Sequence, residues 1–268
     1  MSTEEKNMSF LDHLEELRKR LFRIVIAIAV GITVIIIFDD FVIDHVIMAP
    51  RYDSFPTYQF FCWLGNNTGL GDTLCLQAAQ FKLQSTTMGG NFSAYMLVII
   101  VGGIVLSFPF IFHQIWMFIK PGLRKNEIKA VQGIVFFVSL LFFCGALFGY
   151  YVLSPLSIQF LGSFTFGDVE VNSTVVSYLK LCTTLVLGTG LVFQLPVLVY
   201  FLAKIGMVSS TFLKKYRRHA FVINLIIAAI ITPPDVTSQL LVSLPILLLY
   251  ELSIYIAKRV EMKKLREI

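Results

Sequence analysis

Two carboxylates stand alone against a strongly basic background. Glu16 lies in the run His13-Leu14-Glu15-Glu16-Leu17-Arg18-Lys19-Arg20, and Glu127 closes Pro121-Gly122-Leu123-Arg124-Lys125-Asn126-Glu127. A carboxylate among cations can hold a guanidinium as a two-pronged, charge-assisted fork, which is directional as well as strong. The plain alternative is local pairing, since Glu15 with Lys19 and Glu16 with Arg20 stand four apart. Within the apolar stretches polar groups are few. Lys180 is placed to snorkel outward, Gln194 sits just before Pro196, and Glu251 lies about two turns before Lys258. The ordinary reading of Gln194 is an interhelical hydrogen bond, and of Glu251 a pairing with a nearby base. There is no His-Glu-x-x-His, no Gly-x-Ser-x-Gly and no phosphate-binding Gly-rich loop with Lys. His13, His45, His113 and His219 are scattered without metal-ligand spacing. These patterns point away from catalysis, a resident metal and a cofactor.

The elements that must position these groups are apolar. Of 268 residues 56% are hydrophobic and 15% charged, with a mean hydropathy of +0.77. A soluble fold of this size cannot hide that much apolar surface, so the solvent is lipid, and long apolar runs in lipid are helical. Six spans are expected, over 21–38, 93–119, 130–152, 175–202, 219–232 and 240–257. The fifth covers only about 21 Å at 1.5 Å per residue, against a hydrocarbon core of about 30 Å. A locally thinned bilayer or a shielded helix would accommodate it. The last two spans are both expected to be short. Pro109, Pro155, Pro196 and Pro245 favour kinks, and kinked spans build a curved, concave wall.

Orientation follows from the bases. Nineteen of the 22 Lys and Arg residues fall in the N-terminal segment up to Arg23, after the second and fourth spans, or after the sixth. Eight of the 17 acids fall on the other side. The positive-inside bias puts both termini in the cytoplasm. The pI near 9.0 reflects this topology, because no basic stretch is interleaved with exposed aromatics as nucleic-acid binding would need. One domain, 1–268, is expected, with an amphipathic cytoplasmic helix over 8–20 and a cytoplasmic tail over 258–268. The outer loops are expected over 39–91 and 153–174. No small-residue cleavage site follows the first apolar run, so span one is expected to be retained. Cys62 and Cys75 share the first outer loop, where they can form a disulfide or remain two free thiols. Cys144 and Cys182 fall within spans and are expected to pack as small apolar residues.

Four stretches carry a resemblance. They are His13-Leu14-x-Glu16-Leu17-Arg18-Lys19-Arg20-Leu21, Ala49-Pro50, and His113-Gln114-Ile115-Trp116-x-Phe118-Ile119 running into Pro121-Gly122-Leu123. The fourth is Thr232-Pro233-Pro234-Asp235-Val236-x-Ser238-Gln239. In this order and at these places the chain resembles the TatC family of twin-arginine translocase subunits over nearly its whole length. The resemblance implies a receptor for the paired arginines of signal peptides. It would serve export of folded proteins across the bacterial cytoplasmic (inner) membrane, driven by the proton-motive force. It places Glu16 and Glu127 as the recognising carboxylates, with Arg18, Arg20, Leu123 and Lys125 in the surrounding surface. It further implies single-span partners of the TatA and TatB type and assembly into homo- and hetero-oligomers. Contacts are expected along spans five and six, with Gln194, Asp235, Gln239 and Glu251 as the polar positions. Many relatives carry a glutamate where Gln194 stands; the neutral carboxamide keeps hydrogen bonding to a partner and loses ionisation. The competing readings are a secondary transporter of small solutes, which would show internal repeats and paired broken helices, and a purely structural scaffold.

Overall fold

The computed structural model describes residues 10–68, 75, 77–78, 82–122, 133–163, 172–232 and 236–266. Helix α1 runs Phe10–Ile37 without interruption. The helix expected over 8–20 and the span expected from 21 are therefore one rod. Between Phe10 and Val30 there is no Gly or Pro, and Arg18–Arg23 are good helix formers. A short helical turn (Asp39–Phe41), a π turn (Val42–Ile47) and a 3-10 turn (Ala49–Arg51) lead to α2, Pro56–Thr68. Helix α3 spans Gly90–Ile119 and α4 spans Ile134–Phe148. A π segment, Gly149–Leu153, carries α4 into α5, Ser154–Ser163. Helix α6, Val175–Val192, is followed by α7, Leu195–Lys204. The short α8, Ser210–Lys215, precedes α9, Arg217–Ile231, and α10, Val236–Arg266.

Three expectations change. The second outer loop, expected from 153, begins as helix, because the π segment shifts the register just where Pro155 lacks its donor. The carbonyl of Tyr151, which a residue other than proline at 155 would bond in an α-helix, accepts instead from Thr57 Oγ1. The fourth span is two helices, since Pro196 ends the run at the turn Phe193–Gln194. The sixth helix is not short: α10 has 31 residues and continues through the basic tail, where Val260 packs on Ala257, Ile254 and Leu213. The helical class also carries one small addition, a parallel pairing of β1 (Lys82–Gln84) with β2 (Asn172–Thr174), Leu83 opposite Ser173. It ties the segment before α3 to the segment before α6.

Among the described residues five helices are long and apolar enough to cross a membrane: His13–Ile37, Gly90–Ile119, Ile134–Ser163, Val175–Lys204 and Gln239–Lys263. Helix α9, with 15 residues, extends about 22 Å. The apolar surface faces outward. Phe22 is 67% exposed, Ile230 75% and Leu248 64%, which water would not tolerate as a continuous girdle and lipid accepts.

Helix association in lipid rests on close packing and interhelical hydrogen bonds, because tails compete with apolar side chains. The α1–α3 crossing has both. Gly31 lies where a Cβ would come within 2.6 Å of the Gly103 carbonyl, and Ser107 Oγ donates to Ala27 O at 2.7 Å. A cluster around Leu185, Ala228, Val242 and Ile246 joins α6, α9 and α10.

At the end opposite the basic residues, three tyrosines hold the Ala49-Pro50 corner. Tyr150 Oη donates to Val46 O at 2.7 Å, and Tyr178 Oη to Ile47 O at 2.9 Å. The Tyr58 hydroxyl lies 3.1 Å from Pro50 O and 3.2 Å from Pro155 O. Phe55 packs on Tyr150 and Tyr151, and Cys62 is disulfide-bonded to Cys75. Burial, with the charge of Asp53 adding to it, pushes the Tyr58 hydroxyl above its ordinary value near 10. The folded state thus holds the Tyr58 proton more tightly than the unfolded chain does. The resulting stability is present below pH about 10 and is lost as pH rises above it. Tyr58→Phe is expected to remove about 1–2 kcal/mol of stability at neutral pH. It should also flatten the alkaline loss, both read from unfolding midpoints across pH in detergent.

Candidate functional site

The basic end gathers the start of α1, the end of α3, α8 with the start of α9, and the end of α10. His13 stacks on Phe118 with ring centroids 4.4 Å apart. This contact sets the first motif of α1 directly against the last turn of α3, which Lys120–Gly122 follows as a 3-10 turn. Glu16 sits one turn further along α1. Behind Phe118, Trp116 is buried edge-on to Phe201 of α7 at 6.2 Å, fixing the end of α3 in the body of the protein.

Glu16 is already holding a guanidinium. Its Oε1 accepts from Arg20 Nε at 3.1 Å and also from Arg20 Nη2. The two side chains are only 22% and 14% exposed, Glu16 first. Glu16 Oε2 is closed to solvent and has no hydrogen-bond donor among the described residues. One carboxylate oxygen is doubly engaged while the other keeps acceptor capacity. An ionised carboxylate has about four lone-pair sites, and buried ones ordinarily find donors. The adjacent pair, Lys19 with Glu15 at 2.7 Å, is 67% and 64% exposed and contributes little. Arg18 is exposed. Leu123, Lys125 and Glu127 lie outside the described residues, so the second carboxylate is not located.

The other predicted polar positions fall into separate places. Gln194 Nε2 donates to Val138 O of α4 at 3.2 Å and to Gly190 O at 3.3 Å, while its buried Oε1 has no donor among the described residues. Gln239 Nε2 donates to Leu225 O at 3.1 Å, fastening α10 to α9. Glu251 is held by Arg217 at the start of α9 through Nε and Nη2, one nitrogen to each carboxylate oxygen. The fork raises the Arg217 guanidinium above its ordinary value. Asp235 lies outside the described residues.

Two contacts of the basic end were not legible beforehand. Arg217 as the partner of Glu251 is 34 residues distant, and only the antiparallel packing of α9 on α10 brings them together. Glu261 caps α8: Oε1 accepts from Ser210 N at 2.7 Å and Oε2 from Ser210 Oγ at 2.5 Å. A serine pair before a short basic helix was the available signal, since Ser209 Oγ also accepts from Phe212 N at 3.1 Å.

Fold and site together define a multi-pass helical membrane protein with a guanidinium-binding carboxylate at its basic end. The family described as Sec-independent protein translocase protein (TatC) matches residues 12–245. The chain belongs to that family. A protein named Sec-independent protein translocase protein TatC from Blattabacterium sp. subsp. Periplaneta americana is 37% identical over 266 residues, covering 98% of this chain and all of the relative. The protein of that name from Helicobacter pylori (strain J99) is 50% identical over 157 residues, 59% of this chain and 63% of the relative. The one from Desulforapulum autotrophicum is 35% identical over 98% of this chain and 89% of the relative. Among solved structures, the crystal structure of the twin arginine translocase receptor TatC aligns with a TM-score of 0.71 at 30% identity. It covers 93% of this chain and 99% of that one. None of these likenesses supports the solute-transporter reading.

Proposed function

We propose that this chain is the receptor subunit of a twin-arginine translocation system, capturing the arginine pair of signal peptides on folded cargo at the cytoplasmic face. The observation that carries the reading is Glu16. It is an acidic group on a basic end, and its geometry already accommodates a guanidinium fork. The His13–Phe118 stack supports a site shared between Glu16 and the sequence that follows α3, with Glu127 as its second carboxylate. Arg18, Arg20, Leu123 and Lys125 border the site, and the positive charge of its three bases discourages loose binding of generic basic segments.

In this reading the short α9 is a sixth span, both termini face the cytoplasm, and the spans form a concave wall in the bacterial inner membrane. The distribution of Lys and Arg supports that orientation. The 22 Å reach of α9 suits a thinned bilayer beside it. Single-span TatA- and TatB-type subunits dock along α9 and α10, near Asp235, Gln239 and Glu251. Gln194 holds the α6–α7 turn against α4 and so shapes the surface such a partner meets, and assembly is homo- and hetero-oligomeric. Transport draws on the proton-motive force.

The test is export of a folded fluorescent reporter in cells lacking their own receptor and supplied with this chain. Export with a twin-arginine signal, and retention when both arginines are replaced by lysine, are the expected results. Export that ignores the arginine pair would remove the receptor assignment.

A further inference from the structure

Arg20 occupies the guanidinium position of Glu16 with the same chemistry that a signal-peptide arginine would bring. Both of its engaged nitrogens converge on Oε1, and the pair is largely withdrawn from water. A second cation cannot take the same in-plane fork on Oε1 while Arg20 is there. We propose that Arg20 is an internal competitor for the receptor carboxylate, an occupant that an incoming arginine must displace, and so a determinant of affinity. The inference rests on the receptor reading of Glu16 and deepens it.

Binding at Glu16 is then an exchange. Free Glu16 would attract any cation at a membrane surface, including lysine-rich segments. With Arg20 in place, a ligand gains only the difference between its own interaction and the one it breaks. A lysine ammonium is a compact point charge that cannot reproduce a fork, so it exchanges poorly. A guanidinium exchanges like for like, taking the fork on Oε1 as Arg20 leaves it. Arg20 then swings to solvent along a helix whose fold does not depend on it, since a single i,i+4 pair is a small part of a helix's stability. The neighbouring Glu15–Lys19 pair, open to water, has no such gating role.

The experiment measures binding of a fluorescent twin-arginine signal peptide, and of its twin-lysine version, to the full chain in lipid nanodiscs. Arg20→Gln is expected to tighten binding of both peptides by about the same factor, roughly twofold, because an internal occupant lowers the free fraction of Glu16 for every ligand alike. Discrimination between the two peptides would therefore stay as it is in the wild type. Lys19→Gln removes the same charge without freeing Glu16 and should change both affinities less. Arg20→Lys, which keeps charge and helix but not the fork, should fall between wild type and Arg20→Gln. Equal effects of Arg20→Gln and Lys19→Gln would overturn the proposal, as would loss of binding in a folded Arg20→Gln protein, which would make Arg20 a ligand of the peptide. If wild-type chain binds neither peptide, or binds both equally well with Glu16→Gln, the receptor reading itself fails. If Glu16→Gln abolishes capture and Arg20→Gln leaves affinity unchanged, the exchange idea alone fails.

Discussion

Glu16→Gln is expected to cut capture of a twin-arginine signal peptide by about ten- to a hundredfold, while the unfolding midpoint of the protein moves little. The carboxamide keeps the size and one acceptor oxygen of the side chain. What it loses is the charge that strengthens a guanidinium fork, and a hydrogen bond to a charged group contributes about 1.5–3 kcal/mol. That range corresponds to the stated loss in affinity. Stability should be insensitive because the pair Glu16–Arg20 is local, four residues apart on a helix that has no need of it. The two readouts together separate a binding role from a structural one. Site-specific crosslinking of labelled peptide to α1, with thermal unfolding in parallel, measures both. Undiminished capture would show that the carboxylate is a structural partner of Arg20 and nothing more.

The hydropathy pattern disclosed the long helices because lipid imposes one rule on every span, apolar length. Breaks and continuities were harder. Residues 10–37 form one helix, and nothing in a charged run next to an apolar run says that the axis bends between them. Pro155 looks like a terminator in sequence. The π segment before it and the Thr57 hydroxyl from a distant helix absorb the missing donor, and neither is visible locally. Pro196, with no such relief, does break its helix. The tyrosine corner eluded pattern reading for the same reason: Tyr58, Tyr150 and Tyr178 come from three elements and converge on backbone carbonyls of the two turns at Val46, Ile47 and Pro50. Of the site, Glu16 and its i,i+4 base were readable because helical spacing is a local property. The partners of Glu251 and Ser210, at separations of 34 and 51, depend on how α7 to α10 fold back on one another.

Gly145→Leu is expected to be the most damaging single change in the body of the protein. A Cβ at Gly145 would stand 2.6 Å from the Thr189 carbonyl and 2.8 Å from Phe193 Cβ, so the obstruction includes backbone of α6 and cannot be relieved by a rotamer. The same approach permits Thr189 Oγ1 to donate to Gly145 O at 2.8 Å, a polar bond between helices that separation would forfeit. Overpacking of this kind costs on the order of 3 kcal/mol. The consequence reaches function, because α4 also receives Gln194 through Val138 O just beyond the α6–α7 turn. Pushing α4 and α6 apart should release that side chain and weaken association with single-span partners before the chain unfolds. Gly89→Ala is the matched control: nothing lies within 4 Å of a Cβ there and its φ of −84° suits any residue, so it should stay within about 0.5 kcal/mol of wild type. Thermal unfolding in detergent and co-purification of partner subunits are the measurements. A Gly145→Leu protein that melts at the wild-type midpoint would mean that the α4–α6 crossing is not the close approach on which the bundle depends.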